Sequence, residues 1–447
     1  MNKKLIALAV GSAIGAIGAL GTTAAFAQSN VTLSGSLNFN YGLFDNGGTG
    51  FGAGTNNSVG NAKAKYDGLS NQESQWAIAG EEKLNGGMSA FFLCSTSMDI
   101  TGGTAANMCA RNSYIGLKGG FGSVNFGNYD TPAKRMSGMF DPFPISAAMG
   151  QGAHMWNETA SNTGNSTVVG DTSKLTSISD AKTASFSRRQ ANLLTYDMPS
   201  MNGFDASVAY SAANEASAAT YDKQVLKPRM WSAMAAYNNG PLSLGIGYES
   251  HHNYNPGFGN GNTSSATTVS SAFVVTNATS GAAAGVVSGY TGGDDTMVSL
   301  GAAYKVSDAL RLSAIWNQIK YEKVNGVDNM GVVTWGTYAD WNISGPHRVR
   351  LGYNVQNSTT GTFNGMSATA TSQIGKWTGN GGAGDTGAKK IVLEYVNHLS
   401  KRTDVGVTYA SLQNDRFSAQ TIGTGGSTAT NYGEKATFMG MLIRHKF

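Results

Sequence analysis

Short and long connections alternate along this chain without exception, and that alternation constrains the fold more than any other feature. Sixteen segments read as strands, near 31–44, 73–83, 88–97, 111–118, 123–128, 189–197, 204–211, 229–237, 241–250, 295–306, 310–321, 331–342, 347–356, 388–398, 404–412 and 436–447. The first is the clearest. Val31, Leu33, Leu37, Phe39, Tyr41 and Leu43 alternate with Thr32, Ser34, Ser36, Asn38 and Asn40, a period of two with one apolar and one polar face. The short connections are turns of Gly, Asn, Asp, Ser and Pro at 85–87, 119–122, 199–203, 238–240, 307–309, 344–346 and 399–403. The long ones are polar: 45–72, 98–110, 129–188, 212–228, 251–294, 322–330, 357–387 and 413–435. A β-sandwich has no reason to gather every long loop at one end. A closed barrel in a membrane does.

Composition supports that reading. Charged residues are 13% of the 447 residues and the formal net charge is +4, with no Lys/Arg run longer than two, so a nucleic-acid role has little electrostatic support. Residues 1–27 read as a signal peptide: Lys3 and Lys4, an apolar stretch from Leu5 to Leu20, and a small-x-small site at Ala25-Phe26-Ala27. Residues 28–447 then form one barrel domain. No later stretch is apolar for the ~18 residues a spanning helix needs, so the remaining way across a bilayer is a closed β-barrel.

The two cysteines, Cys94 and Cys109, can pair in an oxidising compartment, and a constant index sum of opposed residues would place them across the base of the second long loop. Two separate thiols are the alternative. The motifs G-x-x-x-x-G-K-[ST], H-E-x-x-H and G-x-S-x-G do not occur, which removes the usual catalytic constellations. His251-His252 reads as a pair of solvated loop imidazoles and Glu81-Glu82 as two carboxylates on opposite strand faces; no metal site and no cofactor are expected. Arg348 and Arg350 alternate with Val349, Leu351, Tyr353 and Val355 and so should face a polar lumen, with Lys305 and Arg444 placed by the same logic. Tyr41, Trp76, Tyr304, Tyr353, Tyr395 and Phe447 fall on apolar faces near strand ends, as interface girdles do.

Several segments resemble the Gram-negative general porins, above all the betaproteobacterial and neisserial branch. Arg111 to Gly127 (RNSYIGLKGGFGSVNFG) is similar to that branch's Arg-x-x-Tyr-Val-Gly-Leu, turn, Phe-Gly-x-Val block. Asn192 to Ser200 (NLLTYDMPS), Leu399 to Asp404 (LSKRTD) and the terminal Ile443 to Phe447 (IRHKF) resemble its other patterns. The resemblance implies an outer-membrane diffusion channel: a homotrimer of sixteen-stranded antiparallel barrels, not an enzyme, passing ions and small hydrophilic solutes. It implies lipopolysaccharide and the barrel assembly machinery as partners, and Phe447 as the assembly signal. It also implies that the third long loop, 129–188, folds into the lumen and narrows the pore. That loop offers Asp130, Asp141 and Glu158 amid Phe140, Phe143, Met149 and Trp156. Arg111 and Arg189 match the family's pore-lining basic cluster, with a structural ion pair as the alternative role.

Strongly basic members tend to carry cations on the second strand, where this chain has Ser74-Gln75-Trp76-Ala77-Ile78-Ala79-Gly80. With Trp76 and Ile78 outward, Gln75 and Ala79 turn inward, and Asn128 and Thr195 stand at two further positions that are basic in relatives. The expectation is a mild or mixed ion selectivity. A loop-displaying surface or adhesion protein and a solute-specific channel are the other readings.

Overall fold

The computed structural model describes residues 29–45, 65–99, 101–102, 107–143, 186, 189–212, 220–221, 224–225, 229–254, 293–322, 330–360, 373–374, 377–378, 385–416, 418, 420, 422 and 433–447. The signal-peptide reading, Glu158, Met149 and Trp156 lie outside them. The strands are β1 (Ser29–Asp45), β2 (Lys65–Asn71), β3 (Gln75–Lys83), β4 (Ser89–Ser97), β5 (Ser113–Gly119), β6 (Gly122–Asp130), β7 (Arg189–Asp197) and β8 (Phe204–Ala212). Two two-residue strands, β9 (Thr220–Tyr221) and β10 (Gln224–Val225), pair with each other. The wall continues with β11 (Arg229–Asn239), β12 (Leu242–Tyr254), β13 (Gly293–Lys305), β14 (Leu310–Glu322), β15 (Met330–Ser344) and β16 (His347–Gln356). A second small pair, β17 (Gln373–Ile374) and β18 (Trp377–Thr378), precedes β19 (Ala388–His398), β20 (Thr403–Asn414) and β21 (Lys435–Lys446).

Each wall strand pairs antiparallel with its sequence neighbour, and β21 returns to β1 from Ser36↔Lys446 to Asp45↔Thr437, so the sheet closes. Strands β2 and β3 form one wall strand with a break, which makes sixteen. β2 falls inside the stretch read from sequence as the first long loop. The cause is a bulge: Gln72–Ser74 face Leu37 and Asn38 across the seam, three residues against two. Ser74 Oγ accepts from Asn38 N–H at 2.9 Å and donates to the Asn38 carbonyl at 3.1 Å, while Glu73 takes φ 58°. The extra residue switches the outward set from odd positions (Lys65, Asp67, Leu69) to even ones (Trp76, Ile78, Gly80), and the alternation is lost in the sequence there.

The outer face is predominantly apolar, with charged Lys65, Asp67, Lys320 and Lys389 near its long-loop edge. Val31, Leu33, Leu43, Ile115, Ile246, Leu300, Leu351, Leu393, Met439 and Met441 are all exposed on it, the pattern of a lipid-facing band. Tyr41, Tyr304 and Phe447 are exposed there too. The opposite face of the same strands carries buried Asn40, Thr195, Ser299, Asn317, Thr334 and Asn354.

Cys94 and Cys109 are joined by a disulfide with Cα atoms 4.7 Å apart. The ladder itself opposes Cys94 to Ser113, so the constant-sum register placed at 94 and 109 is not the observed one. Cys109 reaches back because it turns at φ 58° and donates its N–H to Thr96 Oγ1 at 3.0 Å. Reducing the bond, or replacing both cysteines by serine, is expected to lower stability by about 3 kcal/mol for a loop of this size. Urea unfolding of the oxidised and reduced protein measures it, and coincident midpoints would contradict the expectation.

Candidate functional site

The inner face begins with what enters it. After β6 the chain forms a short helix, α1 (Pro132–Gly138). Thr131 caps it by accepting from Lys134 N–H and Pro132 stands in its first turn, a Thr-Pro start signal carried by the sequence itself. The segment lies against the inner face of β11, β12 and β13, opposite the exposed Trp231, Leu244, Ile246 and Leu300. Ala133 N–H donates to Ser232 Oγ at 3.0 Å, Arg311 donates to the Met139 carbonyl at 2.9 Å, and Ser313 Oγ donates to the Phe140 carbonyl at 2.7 Å. Met136, Phe140 and Phe143 are fully buried against the wall, each side chain contributing about 1.5–3 kcal/mol. The other arm of the same long loop touches the wall at Phe186, whose ring stacks on His251 at 4.6 Å. His251 is therefore no solvated loop residue. It sits on β12, buried, with Nε2 3.0 Å from Glu249 and Nδ1 2.7 Å from Asp295, because β12 and β13 run further than their sequence pattern indicated.

The charged residues named from the sequence fall into two groups. At the long-loop end, Arg189 Nε donates to Asn112 Oδ1 at 2.7 Å and its guanidinium is 3.6 Å from Asp130. Asp130 also takes Asn112 Nδ2 at 2.7 Å and Lys134 Nζ at 2.9 Å. Arg111 stands just before β5 and pairs with Glu73 in the bulge at 3.4 Å. At the short-turn end, Arg348 and Arg350 face inward, opposite the exposed Leu351. Arg348 binds the Asp340 carboxylate through two nitrogens, Nε at 2.5 Å; Arg350 binds Glu394 and is 3.7 Å from Asp340. The register Arg311↔Asp340↔Arg350↔Glu394↔Thr408 makes this a cross-strand ladder. Arg444 pairs with Asp404, which also meets His398 at 2.5 Å. Asp141 accepts the Phe143 N–H at 2.9 Å.

Asp340, Glu394, Asp404, Arg135 and Asp197 were not singled out from sequence. Arg135 reaches from α1 to Asp197 at 2.8 Å and lies over the Tyr129 ring. Their signal was available in part, since each wall carboxylate alternates with apolar neighbours as the arginines do. The pairing across strands was not available, because it depends on register. Gln75 bonds Ser95 at 3.2 Å and Thr195 is buried, so neither position supplies a cation. Among the described residues, no cluster of three or more His, Cys, Asp or Glu could hold a metal ion.

A polar wall of this kind inside a closed sixteen-strand barrel is a channel's geometry, and the family profile for Gram-negative porins matches residues 11–416. The chain belongs to the Gram-negative porin family. This porin is 26% identical over its full length, and over all of the relative, to outer membrane porin protein 32 of Delftia acidovorans. Its fold matches an anion-selective porin from Comamonas acidovorans, with a TM-score of 0.63 at 23% identity over 94% of this porin and 100% of that chain. It also matches the trimer form of OmpT of Vibrio cholerae, with a TM-score of 0.56 at 9% identity over 94% and 99%. The porin is thus an outer-membrane β-barrel channel.

Proposed function

We propose that this porin is a homotrimeric diffusion channel for ions and small hydrophilic solutes, exported by the cleaved segment 1–27, with mild or mixed ion selectivity. One observation carries the selectivity: Arg111, Arg135, Arg189, Arg348, Arg350 and Arg444 each have a carboxylate within 4.0 Å. A lone fixed cation acts on a passing ion over roughly a Debye length, about 10 Å at 0.1 M salt. A cation with an anion beside it acts as a dipole, whose field fades faster, so the barrier it sets differs less between anions and cations. Third-loop residues Asp130 and Asp141 belong to the same polar lining, and residues 131–143 of that loop narrow the bore. The apolar outer face of β1 and β21 supports a trimer contact, and OmpT of Vibrio cholerae, which shares the fold, is described in a trimer form. Phe447 serves recognition by the barrel assembly machinery, and the outer leaflet around the barrel is lipopolysaccharide.

In a planar bilayer under a tenfold KCl gradient, a pore passing only one ion would give roughly 59 mV. The zero-current potential is expected well inside that limit, nearer zero than the limit. A value close to the chloride limit would overturn the selectivity, and a silent bilayer would overturn the channel. Chemical cross-linking of the detergent-extracted protein tests the trimer, with a monomer alone as the contrary result.

A further inference from the structure

Glycine weakens a strand interior, because it gives up the most conformational freedom and offers nothing to pack. This barrel nevertheless places glycines at neighbouring inward positions of β12 and β13 and on β16: Gly245, Gly247, Gly301 and Gly352. The outward neighbours on the same strands, Leu244, Ile246, Leu300 and Leu351, are full-sized. Each inward glycine is occupied by a loop side chain. A Cβ at Gly301 would overlap the Phe140 ring; at Gly245 it would lie 2.7 Å from that ring and 2.9 Å from Met136 Sδ. At Gly247 it would lie 3.0 Å from Met136 Cε, and at Gly352 2.7 Å from the Phe143 ring. Gly245 and Gly301 are directly opposed in the ladder, so together they form one hollow wide enough for the Phe140 ring. Around it, Ser232, Arg311 and Ser313 fix the loop backbone at three points.

We infer that these four glycines are positioning residues for the channel: by lacking side chains they set how closely residues 131–143 lie on the wall, and so how much bore the third loop leaves. The inference rests on the channel reading for its consequence and on packing alone for its cause. Packed interiors tolerate neither added nor removed volume without a shift, so the depth of the loop is fixed by this fit.

The test is a size exchange in the full chain. Gly301→Leu drives Phe140 off the wall, and Phe140→Ala empties the hollow; each is expected to change single-channel conductance by roughly twofold. The double variant returns it toward wild type, because the leucine fills the room the ring leaves. Urea unfolding of the same four proteins gives a double-mutant cycle that needs no conduction. Non-additive midpoints, with the double variant more stable than either single, support the seat. A conducting wild type with additive midpoints and a double variant no closer to it than the singles overturns the seat. A silent wild type with coupled midpoints instead removes the channel reading and leaves the seat standing.

Discussion

Asp340→Asn is expected to move the zero-current potential toward the chloride limit by more than about 10 mV, since it removes the carboxylate that Arg348 binds with two nitrogens and leaves that cation facing the pore. The Arg348 side chain is 29% exposed, so once unpaired it can be solvated in place. Glu394→Gln is expected to act differently, although it lies one rung along the same ladder. Its partner Arg350 is 3% exposed and Glu394 itself 0%, so the change removes the close partner of a buried cation and leaves it Asp340 at 3.7 Å. Breaking a buried pair by removing one partner costs up to about 3–5 kcal/mol, and the barrel should unfold at lower urea with a smaller change in selectivity. Measuring reversal potential and unfolding midpoint on both variants separates the two effects. Equal stability losses with unchanged potentials would show that neither arginine bears on the passing ion.

Loss of the Phe447 ring is expected to lower the yield of folded barrel several-fold while leaving the conductance of each surviving channel unchanged. Phe447 closes the seam: its N–H donates to the Gly35 carbonyl and its carbonyl accepts from Gly35 N–H, both at 3.0 Å. Its ring lies across Gly35, where any Cβ would overlap it. Phe447→Ala removes the ring and keeps both hydrogen bonds. Gly35→Val keeps the ring and denies it the place. A cross-strand aromatic contact is worth about 0.2–1 kcal/mol, and a loss near 1 kcal/mol is enough to change abundance several-fold in cells. Both variants should therefore lose yield, and deletion of Phe447 should lose more, since two hydrogen bonds go with it. Normal yield in Gly35→Val would show that the ring acts only as a recognition signal and not through this contact.

How much was legible differs from element to element. Strands such as β1 and β16 carry clear alternation, because one face meets lipid and the other polar groups, and the period is written residue by residue. The alternation of short turns and long loops fixed the barrel class for the same reason. At the bulge of Gln72–Ser74 the period changes phase, so β2 was hidden in a loop. α1 was hidden because its seven residues complete fewer than two turns, too few for a helical period to show.

The sequence by itself determined a barrel, its strand number, its inward arginines and the cysteines able to pair. These depend on residue type and on spacing along one strand. Tertiary structure alone decided that the arginines are neutralised by Asp340, Glu394, Asp404 and Asp197, that His251 is buried under Phe186, and that Phe140 occupies a hollow of two glycines. These depend on which residues register places opposite one another, and a one-residue shift in register would bring different side chains face to face.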